Sequence, residues 1–458
     1  MIRKLLFTPL LLIWICASHQ AVAQFSGEDV GEDLTYLYES LKEAHFNLYA
    51  YTTAEAFDST YLELRKTITS DSLSLLEATN ILQRLPAAVN NGHTAIDFPG
   101  QSYGEYAHAG GTVFPLEIAF EAGRPLIRKN WSANDSIMPG MELLGINGSP
   151  IADILSKIYP QISAERLYFK NAKLELYSFP RYYWQVFGKQ DEFDVDIREN
   201  DMVQTYTLKA IRVIEDYEMK RNEILSAVKT LKFFGQSAYL NPGNFTGDEG
   251  AYRKFIDSSF VIINERKSAN LILDLRNNGG GDDSFSDYLV SYIAVEPFKW
   301  NSAYSLKTSE FLKAHTRKYR DTTEVFWQEV LSHNNGEIYD YAFESYPPQP
   351  AQKRFIGNVY VLVNRQSHSQ SAVTAAQIQD YKFGTIVGEE TGEYPSLYAS
   401  IFQYQLPRTG IQVSVSKGHI TRVNGSTKAE GVIPDIFIKD YLLDETDEVL
   451  DGLLSRLH

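Results

Sequence analysis

The stretch Val359-Tyr-Val-Leu-Val-Asn-Arg-Gln-Ser-His-Ser-Gln-Ser-Ala-Val-Thr-Ala-Ala-Gln-Ile-Gln-Asp380 decides the fold of this chain. An apolar run, Val359 to Val363, breaks at Asn364 to Ser371 and resumes at helical spacing with Ala372, Val373, Ala375, Ala376 and Ile378. The pattern reads as strand, tight serine-rich turn, helix. A serine in such a turn sits over the first N–H groups of the helix, which lack intrahelical partners and carry the positive end of the helix dipole. Those donors suit a developing oxyanion. Ser369 and Ser371 are both candidates for a nucleophile at this turn, and either also serves as a plain N-cap.

Asn270-Leu-Ile-Leu-Asp-Leu-Arg-Asn-Asn-Gly-Gly-Gly281 is a second strand running into a polar turn, followed by an apolar helix expected from about Ser284 to Ala294. Its consecutive glycines open backbone angles closed to other residues and let N–H groups converge on an anion or a peptide carbonyl. The lysine and the spacing of a phosphate loop are missing. Between them the two turns can supply a nucleophile and two oxyanion donors. Asp274, Arg276 and Asn277 read as structural, the arginine as a buried charge partner and the asparagine as a turn former.

Four motifs stand in a fixed order: Asp274-Leu-Arg-Asn-Asn-Gly-Gly-Gly281, Leu362-Val-Asn-Arg-Gln-Ser-His-Ser-Gln-Ser371, Ile386-Val-Gly-Glu-Glu-Thr391 and Glu430-Gly-Val-Ile-Pro-Asp435. In this order the chain resembles the C-terminal processing and tricorn-type serine peptidases, and the resemblance covers nearly the whole mature chain. It implies that the nucleophile is the first serine of the Ser-x-Ser pair, Ser369, with Ser371 second. One branch of the family pairs that serine with a lysine, whose place falls near Tyr394, where this chain has none. The tricorn-type branch uses a histidine from a turn in the N-terminal part, and Asn90-Asn-Gly-His-Thr94 matches it, so the resemblance implies His93 as general base. An unperturbed imidazole titrates near pH ~6.5 and can accept a serine proton at neutral pH. By the same resemblance Glu430 is the candidate for orienting the imidazole, although Gly92 stands where relatives can carry a relaying serine. The oxyanion hole is assigned to the N–H of Gln370 and one from the glycine turn, Gly280 being favoured. His368, next to the nucleophile, reads as a wall of the site, and His45 and His419 as lesser substitutes for the base.

The histidines show no metal-ligand spacing, and neither metal nor organic cofactor is expected. Met1-Ile-Arg-Lys4, an apolar run to about Ala17 and Ala21-Val-Ala23 read as a secretory leader over residues 1–23. The sole cysteine, Cys16, lies inside it, which excludes thiol catalysis and disulfides in the mature chain. With the leader go Arg3 and Lys4, leaving 41 basic against 58 acidic residues, a formal charge of −17. Nucleic acid is an unsuitable partner for such a chain. No later apolar stretch reaches membrane-spanning length, and a periplasmic or extracellular location is expected.

The fold class expected is multidomain α/β. Residues 24–109 form a helical region carrying the base loop, with Ser74-Leu-Leu-Glu77 as a capping box and Pro86 ending the helix that follows. Residues 110–211 form a β-rich module in which Pro139-Gly-Met-Glu-Leu-Leu-Gly-Ile-Asn-Gly148 resembles a PDZ domain. An aromatic insert from Tyr168 to Phe187 is expected to pack against the next domain. Residues 212–458 form the crotonase-like α/β core implied by the resemblance, its strands including Leu271–Leu275, Val359–Val363, Thr385–Val387, Ile401–Gln405 and Ile411–Val415. An insertion near 296–351 interrupts it, as a lid or a surface excursion. The resemblance implies a serine peptidase acting on peptides or unfolded proteins through an acyl-enzyme. The alternative is a peptide- or ligand-binding protein on the same fold without turnover.

Overall fold

A computed structural model describes residues 24–221, 224 and 227–457; the leader at residues 1–23 lies outside the described residues. Helices Gly27–Ala44, Ala54–Thr67, Leu75–Leu82, Arg84–Ala87 and Gly100–His108 come first. Ser26 and Asp29, and again Ser74 and Glu77, exchange hydrogen bonds as capping boxes that satisfy N–H groups otherwise without partners. Pro86 does not end a helix directly but sits in the short one, Arg84–Ala87. The longer helix stops at Leu82, four residues earlier, whose carbonyl a proline ring would strike. Val30, Leu34, Leu37 and Leu41, all on one face of the first helix, are fully buried.

The middle module is an antiparallel sheet, Leu116–Glu121, Arg124–Asn130, Glu142–Ile146, Glu192–Glu199 and Met202–Lys209, with helices Ile151–Ile158, Leu167–Tyr177 and Phe179–Phe187 between its third and fourth long strands. The aromatic insert meets the expectation only at its start, where Tyr168 donates to the Glu390 carbonyl and Phe169 packs on His368. Phe179, Tyr182 and Tyr183 fill this module's own core, and Trp184 packs on Tyr103. An antiparallel sheet needs one face covered, and the insert's own helices supply the cover.

The main sheet runs Thr230–Phe234, Ser237–Asn241, Asn270–Asp274, Asn358–Val363, Thr385–Gly388, Ile436–Phe437; its first pair is antiparallel and the other neighbours are parallel. Val361 and Val363 point into one core with Ala375 and Ile378, while Leu362 points into another with Val387, Val449 and Leu453. Cover on both faces is why this strand is apolar without alternation.

Two of the strands expected in the core belong to a second sheet. Leu397–Gln405 and Gln412–Thr421 form a separate four-stranded antiparallel sheet with Ala303–Lys307 and Ile338–Asp340 from the 296–351 insertion. Their polar residues Tyr398, Ser400 and Gln403 suit a sheet with one covered face, and the cover is the apolar stripe of helix Gly27–Ala44, which meets Phe402, Val413 and Val415.

Candidate active site

Ser369 stands between the strand Asn358–Val363 and the helix Gln370–Asp380 with φ 50° and ψ −126°. A non-glycine residue held there costs about 1–3 kcal/mol, and the sharp turn lifts the side chain clear of the helix. Its hydroxyl makes no capping bond to the helix. Instead Ser369 Oγ lies 3.0 Å from His93 Nε2. The flanking serines face the other way: Ser367 Oγ and Ser371 Oγ both donate to the Leu275 carbonyl, at 2.8 and 3.2 Å. Spacing by two residues along the turn therefore sends two of the three hydroxyls to a backbone carbonyl and the third to His93.

His93 is carried on a loop whose polar groups are tied to two other parts of the molecule. Glu165 Oε1 accepts from the Gly92 N–H (2.6 Å) and from Asn91 Nδ2 (3.0 Å), and Lys173 Nζ donates to the Gly92 carbonyl (2.9 Å). Asn91 also donates to the Tyr398 carbonyl and accepts from Ser416 Oγ, and Ala95 exchanges backbone bonds with Ser414. His45 backs this loop, its Nε2 lying 3.5 Å from Asn91 Oδ1; burial pushes its pKa down to about 4, so it stands as a neutral support. His419 lies away from Ser369, stacked on Phe46. His368 is walled in against Phe169, with burial pushing it down to about 4 as well.

The carboxylate facing the imidazole is Glu393, not Glu430. Glu393 Oε1 lies 2.9 Å from His93 Nδ1, in an off-axis charge contact, while its Oε2 accepts the Ser369 N–H at 2.5 Å. One buried carboxylate thus touches both the His93 imidazole and the Ser369 backbone. Glu430 sits in an open loop, paired at 3.8 Å with Lys428. The reason is the path of the chain: Gly431 N–H binds Glu390 Oε1, which places Glu430 on the outer side of the loop 389–393 while Glu393 turns inward. The signal available in the sequence is an acid one residue before Tyr394, the place where the lysine-based branch has its base. The glycine at 92 also has a cause. A Cβ there would come within 2.9 Å of Phe169 Cε1 and 3.1 Å of Glu165 Oε2, and direct contact between Glu393 and His93 leaves a serine nothing to relay.

Burial is the strongest single influence on His93 and pulls its pKa down, but the charge and close contact of Glu393 together with the charge of Glu165 exceed it, and the net shift is upward. Burial pushes Glu393 up, yet His93, with Lys173 and His368, holds it well below the usual carboxylate range. Glu165 moves the other way, raised by burial and by the neighbouring Glu393. Two nearby carboxyls with opposite shifts divide their roles, the one on the imidazole staying ionised.

The glycine turn differs in detail from expectation. Gly280 N–H donates to Asn278 Oδ1 (2.8 Å) and is engaged within its own turn. Gly280 matters for what it lacks, since a Cβ there would lie 2.7 Å from Gln370 N and 2.8 Å from Ser369 Cβ, with φ at +83°. In the bridge to Phe245, Gly280 O and Asp282 N face that residue, so Gly281 directs its own N–H and carbonyl away from it. Asn278 binds the two turns together, its carbonyl accepting from His368 N–H. Arg276 is a buried partner of Asp274 and Asp447, and Asn277 takes φ 54°.

Residues 237–438, which contain Gly280, Ser369, Gln370 and Glu393, match the family model described as peptidase family S41. This segment is similar to peptidase family S41. A tail-specific protease of Haemophilus influenzae is 28% identical over 203 residues, 42% of this chain and 24% of that protein, so the match spans about a quarter of the curated relative's length. Among solved structures, mature CPAF complexed with lactacystin superposes with a TM-score of 0.68 at 15% identity, covering 94% of this chain and 97% of that one. Mature CPAF alone gives 0.67 at 14%, over 94% and 96%. That likeness is one of fold, and it extends through all three parts of the chain. His93 lies outside the S41 segment.

Beside Ser369 and His93 lies a cleft of about 1010 Å³. Gly281 and Gln370 lie on its floor side, and the 296–351 insertion supplies an aromatic wall that includes Trp300, Tyr304, Trp327 and Phe343. Among the described residues no group of three or more His, Cys, Asp or Glu is arranged to hold a metal, and no helix is long and apolar enough to cross a membrane.

Proposed function

We propose that the protein is an exported serine peptidase in which Ser369 is the nucleophile, His93 the general base and Glu393 the residue that orients and charges the imidazole. The observation that carries the reading is the 3.0 Å approach of His93 Nε2 to Ser369 Oγ, made by residues 276 positions apart. Ser369 Oγ attacks the peptide carbonyl carbon as its proton passes to Nε2, and the imidazolium is stabilised by Glu393. The oxyanion is held by the Gln370 N–H at the helix start and by the Gly281 N–H across the cleft, Gly280 keeping the approach open. Collapse of the tetrahedral intermediate transfers the Nε2 proton to the leaving amine, and a water, deprotonated by the same imidazole, then hydrolyses the acyl-enzyme. Ser369 N–H, donated to Glu393, takes no part in the oxyanion hole.

The middle module is read as PDZ-like and the main sheet with its helices as crotonase-like, with peptides or unfolded proteins as substrates and the leader directing export. Labelling by a fluorophosphonate probe tests the chemistry. Wild type and Ser371→Ala should label, and Ser369→Ala and His93→Ala should not. An unlabelled wild type with an open cleft would count against the peptidase reading.

A further inference from the structure

Across the cleft from the nucleophile, Lys417 on the strand Gln412–Thr421 is 4% exposed, and lines the same cavity as Ser369 and His93. A buried ammonium is normally paired with a carboxylate. Here Nζ donates to the Ser400 carbonyl (2.8 Å) and to Ser400 Oγ (2.6 Å), both neutral, and among the described residues no carboxylate lies within ion-pair distance. Asp282, Asp283, Asp321 and Glu324 line the cleft but do not reach it. Ser400 stands opposite Lys417 in the hairpin register and takes φ 58°, a strained angle for serine, with its carbonyl accepting from Nζ and its hydroxyl accepting from Tyr304 OH at 2.8 Å. Trp327 lies 5.7 Å from Nζ, and Arg320, stacked on the same ring at 5.0 Å, adds charge of the same sign. Burial, reinforced by Arg320, pushes the Lys417 pKa down to about 7. At neutral pH the amine is therefore only partly protonated, and an anion placed beside it would favour the charged form.

We infer that Lys417, supported by Ser400 and Tyr304, is an anion subsite of the cleft that takes a carboxylate of the bound peptide, either its free C-terminus or an acidic side chain. That the anion belongs to a peptide rests on the peptidase reading above. Strain at Ser400 is then explained, because it turns an uncharged carbonyl toward the ammonium and leaves the cation's charge for the ligand.

The test is binding, measured by fluorescence polarisation on Ser369→Ala so that no turnover intervenes. The probes are a neutral peptide amide, the same peptide with a free C-terminus, and amides carrying Glu for Gln at successive positions. At least one acidic probe should bind about 10- to 100-fold more tightly than the neutral one, the range of a charge-assisted hydrogen bond. In Ser369→Ala/Lys417→Met the ratio should fall to about unity, and with Lys417→Arg much of it should return. Preference for the free terminus assigns the terminal carboxylate, and preference for Glu assigns a side chain; either supports the subsite. Equal binding of all probes, or a preference that survives Lys417→Met, overturns it. Should Lys417→Met not fold, Lys417→Gln carries the same comparison. A preference for acid in a protein that fluorophosphonate never labels would sink the peptidase reading and leave the subsite standing.

Discussion

The Ser369 turn and the His93 loop are both short polar segments, and they are built in opposite ways. Ser369 is set by its own neighbourhood: a strand buried on both faces, a helix starting at Gln370, and two flanking serines anchored on one carbonyl. His93 has no such frame. Gly92 is gripped by Glu165 and Lys173 from the middle module, and Asn91 by Tyr398 and Ser416 from the four-stranded sheet. The same middle segment also holds the other two loops, through Gln366 to the Ala172 carbonyl, Arg365 to Glu175, and Arg166 to the Thr391 carbonyl. The Ser369 turn thus takes its shape from its own strand and helix, with only its leading residues reaching the middle module, whereas the His93 loop is placed only when all three parts dock. Glu165→Gln, which loosens a contact of the His93 loop and none of the Ser369 turn, should act on the imidazole first.

Replacing Ser369 by Ala should lower kcat/KM by on the order of 10^4-fold or more, while Ser371→Ala costs at most a few-fold. Comparable losses from both would break the division among the three hydroxyls. Glu393→Gln should cost on the order of 10^2- to 10^4-fold, as loss of an imidazole-orienting charge does elsewhere. Its pH profile is more telling. The base works unprotonated, so kcat/KM rises with pH through the raised His93 pKa; removing the charge that raises it must move that limb to lower pH. Glu430→Gln should leave the limb in place, and a shift there would restore Glu430 as the third member.

Gly92→Ser sharpens the comparison from the base side. The added side chain meets Phe169 and Glu165 at 2.9 and 3.1 Å, so the loop must shift, with a strain of about 1–3 kcal/mol and labelling slowed about tenfold. Faster labelling would mean that a relay had been restored. The smallest effect is expected of Lys173→Met. Two backbone carbonyls lose a donor, destabilising the fold by about 2 kcal/mol in urea unfolding. Because Lys173 lowers the His93 pKa, its removal should move the acid limb upward, opposite to Glu393→Gln. Limbs moving in the same direction would show that the two charges do not act on one imidazole.

The polypeptide by itself determined the two turns, because each lies within one strand–turn–helix unit whose apolar periodicity and glycines are local signals. Ser369, Gln370 and the three glycines stand together for that reason, and Arg276 and Asn277 hold the turn as their residue types imply. Only the tertiary structure decided which acid meets His93. Glu393 and Glu430 are both loop carboxylates, and nothing in their neighbours says that one turns inward at 1% exposure while the other stays in water beside Lys428. The same holds for the strands at 397–405 and 412–421, whose one-sided pattern names no partner, and for Gly280, whose N–H is taken by an asparagine two residues away. Local backbone preference acts over a few residues and leaves its mark in sequence; the pairing of distant charges depends on which surfaces are buried together, which a pattern of residue types does not specify.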